Sequence, residues 1–327
     1  MKNKSVILLL FSVIVVFSTF AYPSGKTKDK ASEKIKTLGI KAKEEYTYQL
    51  VRPNDKGFLS AKTTYNNNGN PLSEIWFGLK GVTIAKADYN YDGNGNLIEE
   101  VRTSRKDSVS KYLYSYDKNN RKIQTNYFKP TGAVENHIYK YDTLGNITEE
   151  IKNNPGGGVD NYYYKYDNNG NETEVIWLKD ERQQARYIYK YDSKQNRIED
   201  EWYNNENQLT SKIFREYDAA KNKIAEKVTH ADNSIQTKYI YKYDSKNCLI
   251  EEIDSDSGDN VFYRSEFVYD AKGNCVEDIK YNERGEMSAH HLTYYDVNGN
   301  VIETITMNKD NQPTVSVKCV YQYSKKK

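Results

Sequence analysis

Aromatic residues recur on alternate positions along most of this chain, as at Tyr187, Tyr189 and Tyr191, and each run ends at an Asp followed by polar residues. Alternation with period two marks a strand with one distinct face. The pattern then restarts. The Tyr of each Tyr-Asp pair falls at 91, 116, 141, 166, 191, 217, 243, 269 and 295, in steps of 25 or 26 residues. Tyr65 opens an earlier copy with Asn66 in place of Asp, and Tyr321 to Ser324 form a truncated last one. A phrase repeated at a fixed period marks a structural unit stacked on copies of itself, since a catalytic constellation is needed once.

With that Tyr as position 0, Tyr often also occupies −2 and −4. After Asp at +1 come two variable residues and then usually Gly-Asn, as in "YNYDGNGNL" at 89–97. Asp can cap a turn and Gly can take positive φ, so the phrase predicts a tight hairpin with a Gly bulge. Strings such as 92–96 also resemble a calcium loop, but the distal Glu and flanking helices of an EF-hand are missing. Position +7 opens the return strand with Ile, Val, Leu or Thr, from Leu72 to Ile302. The second connection, as in "KPTGAVENH" or "NERGEMSAH", reads as a looser turn. The expected fold is all-β: about ten tandem antiparallel hairpin units of 25–26 residues. They form an extended, twisted or partly closed sheet of about twenty strands.

Pairing +1 with +5 in a regular ladder sets Tyr at 0, −2 and −4 opposite +6, +8 and +10. That puts the +8 acids Glu99, Glu149, Glu199, Glu251 and Glu303 among tyrosines. Lys at −1 and acids at +9 take the other face, with diagonal pairs Lys140–Glu150 and Lys242–Glu252. Recurrence in nearly every unit makes these carboxylates sheet-solvating groups rather than the acid pair of a glycosidase. Trp76, Trp177 and Trp202 share one slot, +11, with Tyr127. On this parity their rings point away from the Tyr face.

Composition narrows the class. Mean hydropathy is −0.92, and 31 Tyr supply much of the apolar surface against 9 Phe and 3 Trp. Tyr buries a ring but needs a partner for its hydroxyl, which suits a wet sheet. Lys+Arg 48 against Asp+Glu 46 gives +2, no general attraction for nucleic acid or anionic membrane. Residues 1–21 read as an export signal: Lys2 and Lys4, an apolar run, then Thr19 and Ala21 at a cleavage site. No later run is long and apolar enough for a membrane span in the mature chain. Residues 22–44 are a Lys-rich tail or short helix, 45–60 a half repeat capping the open edge, and 61–327 the array. Cys248, Cys275 and Cys319 cannot all pair within one chain, and no Cys/His spacing fits a metal. His290 and His291 are adjacent and face opposite sides of a strand. No nucleophile–base pair or phosphate loop is visible, so no enzyme and no cofactor is expected.

The phrase, at 89–97 and again as "FVYDAKGNC" at 267–275, resembles the YD repeat of RHS-type proteins, bacterial secreted and surface proteins that include polymorphic toxins. The resemblance covers most of the mature chain. Asn96, Asn146, Asn171, Asn274 and Asn300 stand where that family often has Arg, and Gln195, Lys221 and Asn247 replace the Gly. It implies hairpins winding into a sheet or hollow shell, with carbohydrate binding or toxin encapsulation in some members. No Asp-Pro pair occurs and the repeats run to the last residues, which argues against a toxin. Twenty strands would close to a ring only about 30 Å across, too narrow for a folded cargo about 33 Å wide. The expected function is an exported binding module for a glycan or surface protein, with Trp76, Tyr127, Trp177 and Trp202 as ligand-binding residues. A structural or adhesive surface protein, or a toxin-free relative of the toxins, is the alternative.

Overall fold

The computed structural model describes residues 30–51, 55–104 and 108–324. The expected export signal, 1–21, lies outside them. Among the described residues twenty-two strands follow one short helix, Lys30–Leu38, with a single 3-10 turn at Leu79–Gly81. Each strand pairs antiparallel with the next, and the last, Pro313–Tyr323, pairs with the first, Ile40–Gln49. The sheet therefore has no edge. The expectation of an extended or partly closed sheet is corrected: it closes into an up-and-down barrel. Unpaired backbone groups at two long edges are costly, and closure removes both. The first and last strands together form an eleventh hairpin, split between the two chain ends. What the sequence offered as a capping half repeat at 45–60 overlaps this closing strand.

The turns follow from the Asp. In the unit of Tyr91, Asp92 Oδ1 accepts from the backbone N–H of Asn94 and Asn96 at 2.9 and 2.8 Å, and Asn96 Nδ2 donates to Oδ2 at 2.9 Å. Gly95 takes φ +87°, where a Cβ is unfavourable. Asn120, Gln195, Lys221 and Asn247 adopt the same region without being Gly, so Asn120 joins the three replacements seen in the sequence. In the unit of Tyr116, Arg121 Nε donates to Asp117 Oδ2 at 2.7 Å, so Arg and Asn fill the +5 role alike. Three of the second connections are no looser than the first. Asn204, Asn282 and Asn308 cap their turns through the same side-chain contacts to residues two and four ahead. A short polar side chain at the first turn position supplies this cap, while Lys129 and His230 head turns closed by backbone bonds of the same pattern.

Each return strand carries a bulge. Tyr91 is opposite Leu97, but Asn90 is opposite Glu99, so Ile98 has no partner. The same shift sits between −1 and 0 in all ten hairpins that bear the phrase. The ladder is interrupted there, and the next unit's Tyr fills the gap. Every position-0 phenol from Tyr91 to Tyr321 donates to the carbonyl of residue +6 in the preceding unit, at 2.5–3.0 Å. This is why the slot holds Tyr and not Phe: the ring packs and the hydroxyl staples neighbouring hairpins.

The bulge also reverses the expected faces. Position −2 now stands opposite +9, and −4 opposite +11. The +8 acids meet Lys at −1 on the other face, as Lys140–Glu149 and Lys242–Glu251 at 2.5 Å and Lys190–Glu199 at 3.0 Å. The diagonal pairs Lys140–Glu150 and Lys242–Glu252 are thus replaced by direct ones. The Tyr face holds Ala87, Glu100, Asp200, Ile213 and Ser265, all nearly inaccessible, while Leu72, Ile98, Tyr163, Ile240 and Ile302 on the opposite face are exposed. In a closed barrel side chains crowd on the concave side, so the Tyr face is the inner wall. Twenty-two strands at about 4.8 Å give a backbone width of roughly 34 Å before strand tilt widens it. Side chains leave a lumen of about 24 Å.

The helix Lys30–Leu38 takes the place of the missing eleventh turn. Its backbone at Ser32 and Lys36 lies against Gly69, so close that a Cβ there would meet Ser32 O at 2.0 Å. Lys34 Nζ donates to Gly299 O at 2.7 Å. The helix so bridges the two turns flanking the seam, and Ser324 N donates to Gly39 O at 2.8 Å between the chain ends.

Candidate functional site: the inner wall

Three rows of side chains line the lumen. Row 0/+6 holds the Tyr staples. Row −2/+9 links neighbouring units through acids: Tyr89 donates to Glu74 at 3.0 Å, Tyr114 to Glu100 at 3.2 Å and Tyr164 to Glu150 at 3.4 Å. Burial, and then the charge of Glu100, pushes the Tyr114 phenol well above its usual range. Arg215 takes the −2 place once and grips Asp200 with two bonds, at 2.9 and 2.8 Å. Burial opposes ionisation of Asp200, but Arg215 and Arg197 outweigh it and hold the carboxyl below its usual range.

Row −4/+11 varies most, and it contains every residue that the sequence singled out. Tyr127 stacks on Tyr112 with centroids 4.3 Å apart and planes within 3°. Trp177 lies 6.1 Å from Tyr162, nearly parallel, and Trp202 meets Tyr187 edge-on at 5.9 Å. Trp76 faces Ala61 and Ala85 instead. The expectation that these rings point away from the Tyr face is overturned by the one-residue bulge: they share the inner wall with their tyrosines. The structure brings Tyr127, Trp177 and Trp202 onto one arc, with the unit of Tyr141 between Tyr127 and Trp177. Trp76 lies outside that arc. Trp177 Nε1 donates to Asp160 Oδ1 at 3.0 Å, and Trp202 keeps 41% of its surface exposed. A flat ring, half open to a wet lumen, can stack on an apolar ligand face.

The unit between the aromatic pairs carries charge that sequence reasoning missed. His137 Nδ1 lies 2.8 Å from Glu150 and Nε2 2.9 Å from Glu135. Lys129 and Lys152 also reach Glu135, at 3.1 and 3.4 Å. The bond to Glu150, with Glu135 on the other side, raises the His137 pKa against the opposing effect of burial. Burial would lift Glu135, but His137, Lys129 and Lys152 bring it down to about 2. Lys122 sits 5.0 Å from the Tyr139 centroid and 6.0 Å from that of Tyr114. Burial lowers its pKa. Its signal was a Lys at +6, where most units place an apolar residue.

The described residues contain no group of three or more His, Cys, Asp or Glu arranged to hold a metal ion. Among them no helix is long and apolar enough to cross a membrane. A lipid-facing barrel wall needs an apolar band about 25 Å tall. The described outer wall is instead interrupted by the Lys–Glu pairs at −1/+8, whose lysines are exposed.

No protein-family model matches this sequence, and none of the curated proteins does. Solved structures that this chain matches in part include the Photorhabdus luminescens Tc holotoxin pore with a TccC3 mutation, at 10% identity and TM-score 0.40, over 81% of this chain and 17% of that one. A TcdB2-TccC3-Cdc42 structure is 12% identical with TM-score 0.37, over 80% and 17%. A porin-like protein from Bacteroides uniformis is 10% identical with TM-score 0.28, over 86% and 98%. The chain thus spans about a sixth of the toxin chains it matches.

Proposed function

We propose that this chain is an exported, non-enzymatic binding protein of the YD-repeat kind, and that its inner wall holds a carbohydrate. One observation carries the reading. Row 0/+6 is taken up by bonds between units and row −2/+9 in part, whereas row −4/+11 gathers Tyr112–Tyr127, Tyr162–Trp177 and Tyr187–Trp202 on one arc. Trp177 and Trp202 are two strands, about 10 Å, apart, and Tyr127 and Trp177 four strands, about 19 Å. Rings at these spacings can stack on sugars of one chain, and a lumen about 24 Å wide admits an extended polymer but no folded domain. A glycan screen with the mature chain tests this. The wild type should retain a glycan, and W177A/W202A should lose it with little change in melting temperature. Equal retention by both proteins would refute the site.

The adhesive or structural reading has its own support. Leu72, Ile98, Ile123, Ile224, Ile250 and Ile302, all at +7, are exposed on the outer wall near the turns. Exposed apolar side chains in a recurrent row favour contact with another surface. On that reading W177A/W202A changes nothing, while charged residues at +7 abolish assembly.

A further inference from the structure

We propose that the ligand of the inner wall is an anionic glycan, with its sugar faces on the Tyr112–Tyr127 and Tyr162–Trp177 pairs and its acidic group beside Lys122, His137 and Lys152. This rests on reading the lumen as a glycan site and adds the charge of the ligand.

The charge balance of the cluster carries it. Both ring nitrogens of His137 face carboxylate oxygens, at 2.8 and 2.9 Å. A neutral imidazole has one N–H and could satisfy only one of them, so this geometry fits the imidazolium. Four cations, Lys122, Lys129, His137 and Lys152, then stand against two carboxylates, Glu135 and Glu150. Glu135 alone is shared by three of the cations. Lys122 has no carboxylate in bonding contact among the described residues and lies between the rings of Tyr114 and Tyr139. The next carboxylate along the wall, Asp160, accepts from Trp177 and Asn154 and adds a third negative charge beside Lys152, which leaves the cations in excess by one. A desolvated, under-neutralised cation held between two tyrosine rings is a seat for a carboxylate or sulfate group.

The opposite wall has the other sign. Twenty-two strands make eleven hairpin positions, and the unit of Tyr269 is five steps from that of Tyr141, close to half the ring. There and in the adjoining unit of Tyr243, Glu252, Asp254 and Asp278 outnumber the inner-wall lysines Lys280 and Lys223. At a lumen width of about 24 Å against a Debye length of about 8 Å, that wall orients an anion only at low salt. The near cluster does the holding.

The test is a titration of the mature chain with three oligosaccharides of equal length: neutral, uronic acid and sulfated neutral. The acidic chains should bind at least tenfold tighter than the neutral one, and the advantage should shrink as salt rises. The stronger of the two acidic arms identifies carboxylate or sulfate as the group recognised. K122M/K152Q should bring the acidic-to-neutral ratio close to one, while the outer-wall control K190Q should leave it unchanged. Circular dichroism checks that each variant is folded. A neutral chain bound as tightly as both acidic chains would overturn the charge assignment alone. Binding of none of the three would remove the glycan reading and this inference together.

Discussion

Rows 0/+6 and −4/+11 run parallel around the same lumen and treat sequence variation in opposite ways. In row 0 the phenol of all ten units from Tyr91 to Tyr321 makes one bond, to the preceding unit's +6 carbonyl. Residue +6 itself ranges from Leu97 to Lys122 to Glu172, because only its backbone is used. In row −4/+11 the side chains themselves face the lumen and change from Tyr162–Trp177 to Ile213–Val228 to Ser265–Lys280. A repeat protein keeps what joins one unit to the next and is free to diversify what joins nothing. Binding chemistry is therefore sought in the second row.

The comparison breaks most severely if the unit itself is cut. Deleting residues 141–165 removes one hairpin and leaves twenty strands, which still close antiparallel with row 0 in register. Deleting a single strand with its turn leaves an odd number, so first and last strands meet parallel and the seam fails. Circular dichroism should show a folded protein in the first case and aggregation or unfolding in the second. Equal damage from both would contradict modular closure.

Next in size is the staple. Tyr166→Phe keeps the ring and strands the carbonyl of Ile147, at an expected cost of about 1–2 kcal/mol in chemical denaturation. Tyr162→Phe, in the variable row of the same strand, should cost less than about 0.5 kcal/mol. Similar losses at both positions would erase the distinction between the rows.

Turn substitutions are smaller still. Gly95→Ala puts a Cβ at φ +87° and should cost about 1 kcal/mol, whereas Asn120→Gly, at φ +60°, should be close to neutral. Denaturation midpoints read the difference, and a neutral Gly95→Ala would mean the turn relaxes.

The smallest expected effect is pH dependence in the His137 cluster. His137 has a raised pKa, so its contribution is fully present below about 6.5 and is lost as pH climbs through the folded value. Glu135 has a folded pKa of about 2, so its contribution is present above about 4.5 and is lost as pH falls toward 2. The cluster is strongest between those limits. His137→Gln should flatten the alkaline side of the stability profile, and an unchanged profile would show that the imidazolium contributes nothing.

Much of the fold was legible in the residues. Period-two Tyr gave the strands, and Asp-x-x-Gly-Asn gave the turn with its cap. The bulge was not, because a regular ladder counted from the Asp–Asn pair assigns every later residue to the wrong face. The missed signal was electrostatic: only a skip at +7 sets Lys140 directly opposite Glu149 and Lys190 opposite Glu199. Closure was hidden in the ends. Among the described residues Tyr321 opens a hairpin with no return strand of its own, and Ile40–Gln49 is a strand with no strand paired before it in sequence; together they make one unit. The Trp slot was found by its phase, but its surroundings depend on pairing across strands, which the phase alone does not specify.

The central claim is that the ends meet. Spin labels at Leu72 and Ile302, both exposed at +7, with the three native cysteines replaced by serine, measure it by pulsed electron resonance. In the closed barrel the labelled strands are four steps apart across the seam, about 19 Å. In an open sheet they are eighteen steps apart, about 85 Å before twist. A narrow distribution near 20–30 Å, allowing for label length, is the predicted result, and a distribution beyond the instrument's range would contradict it.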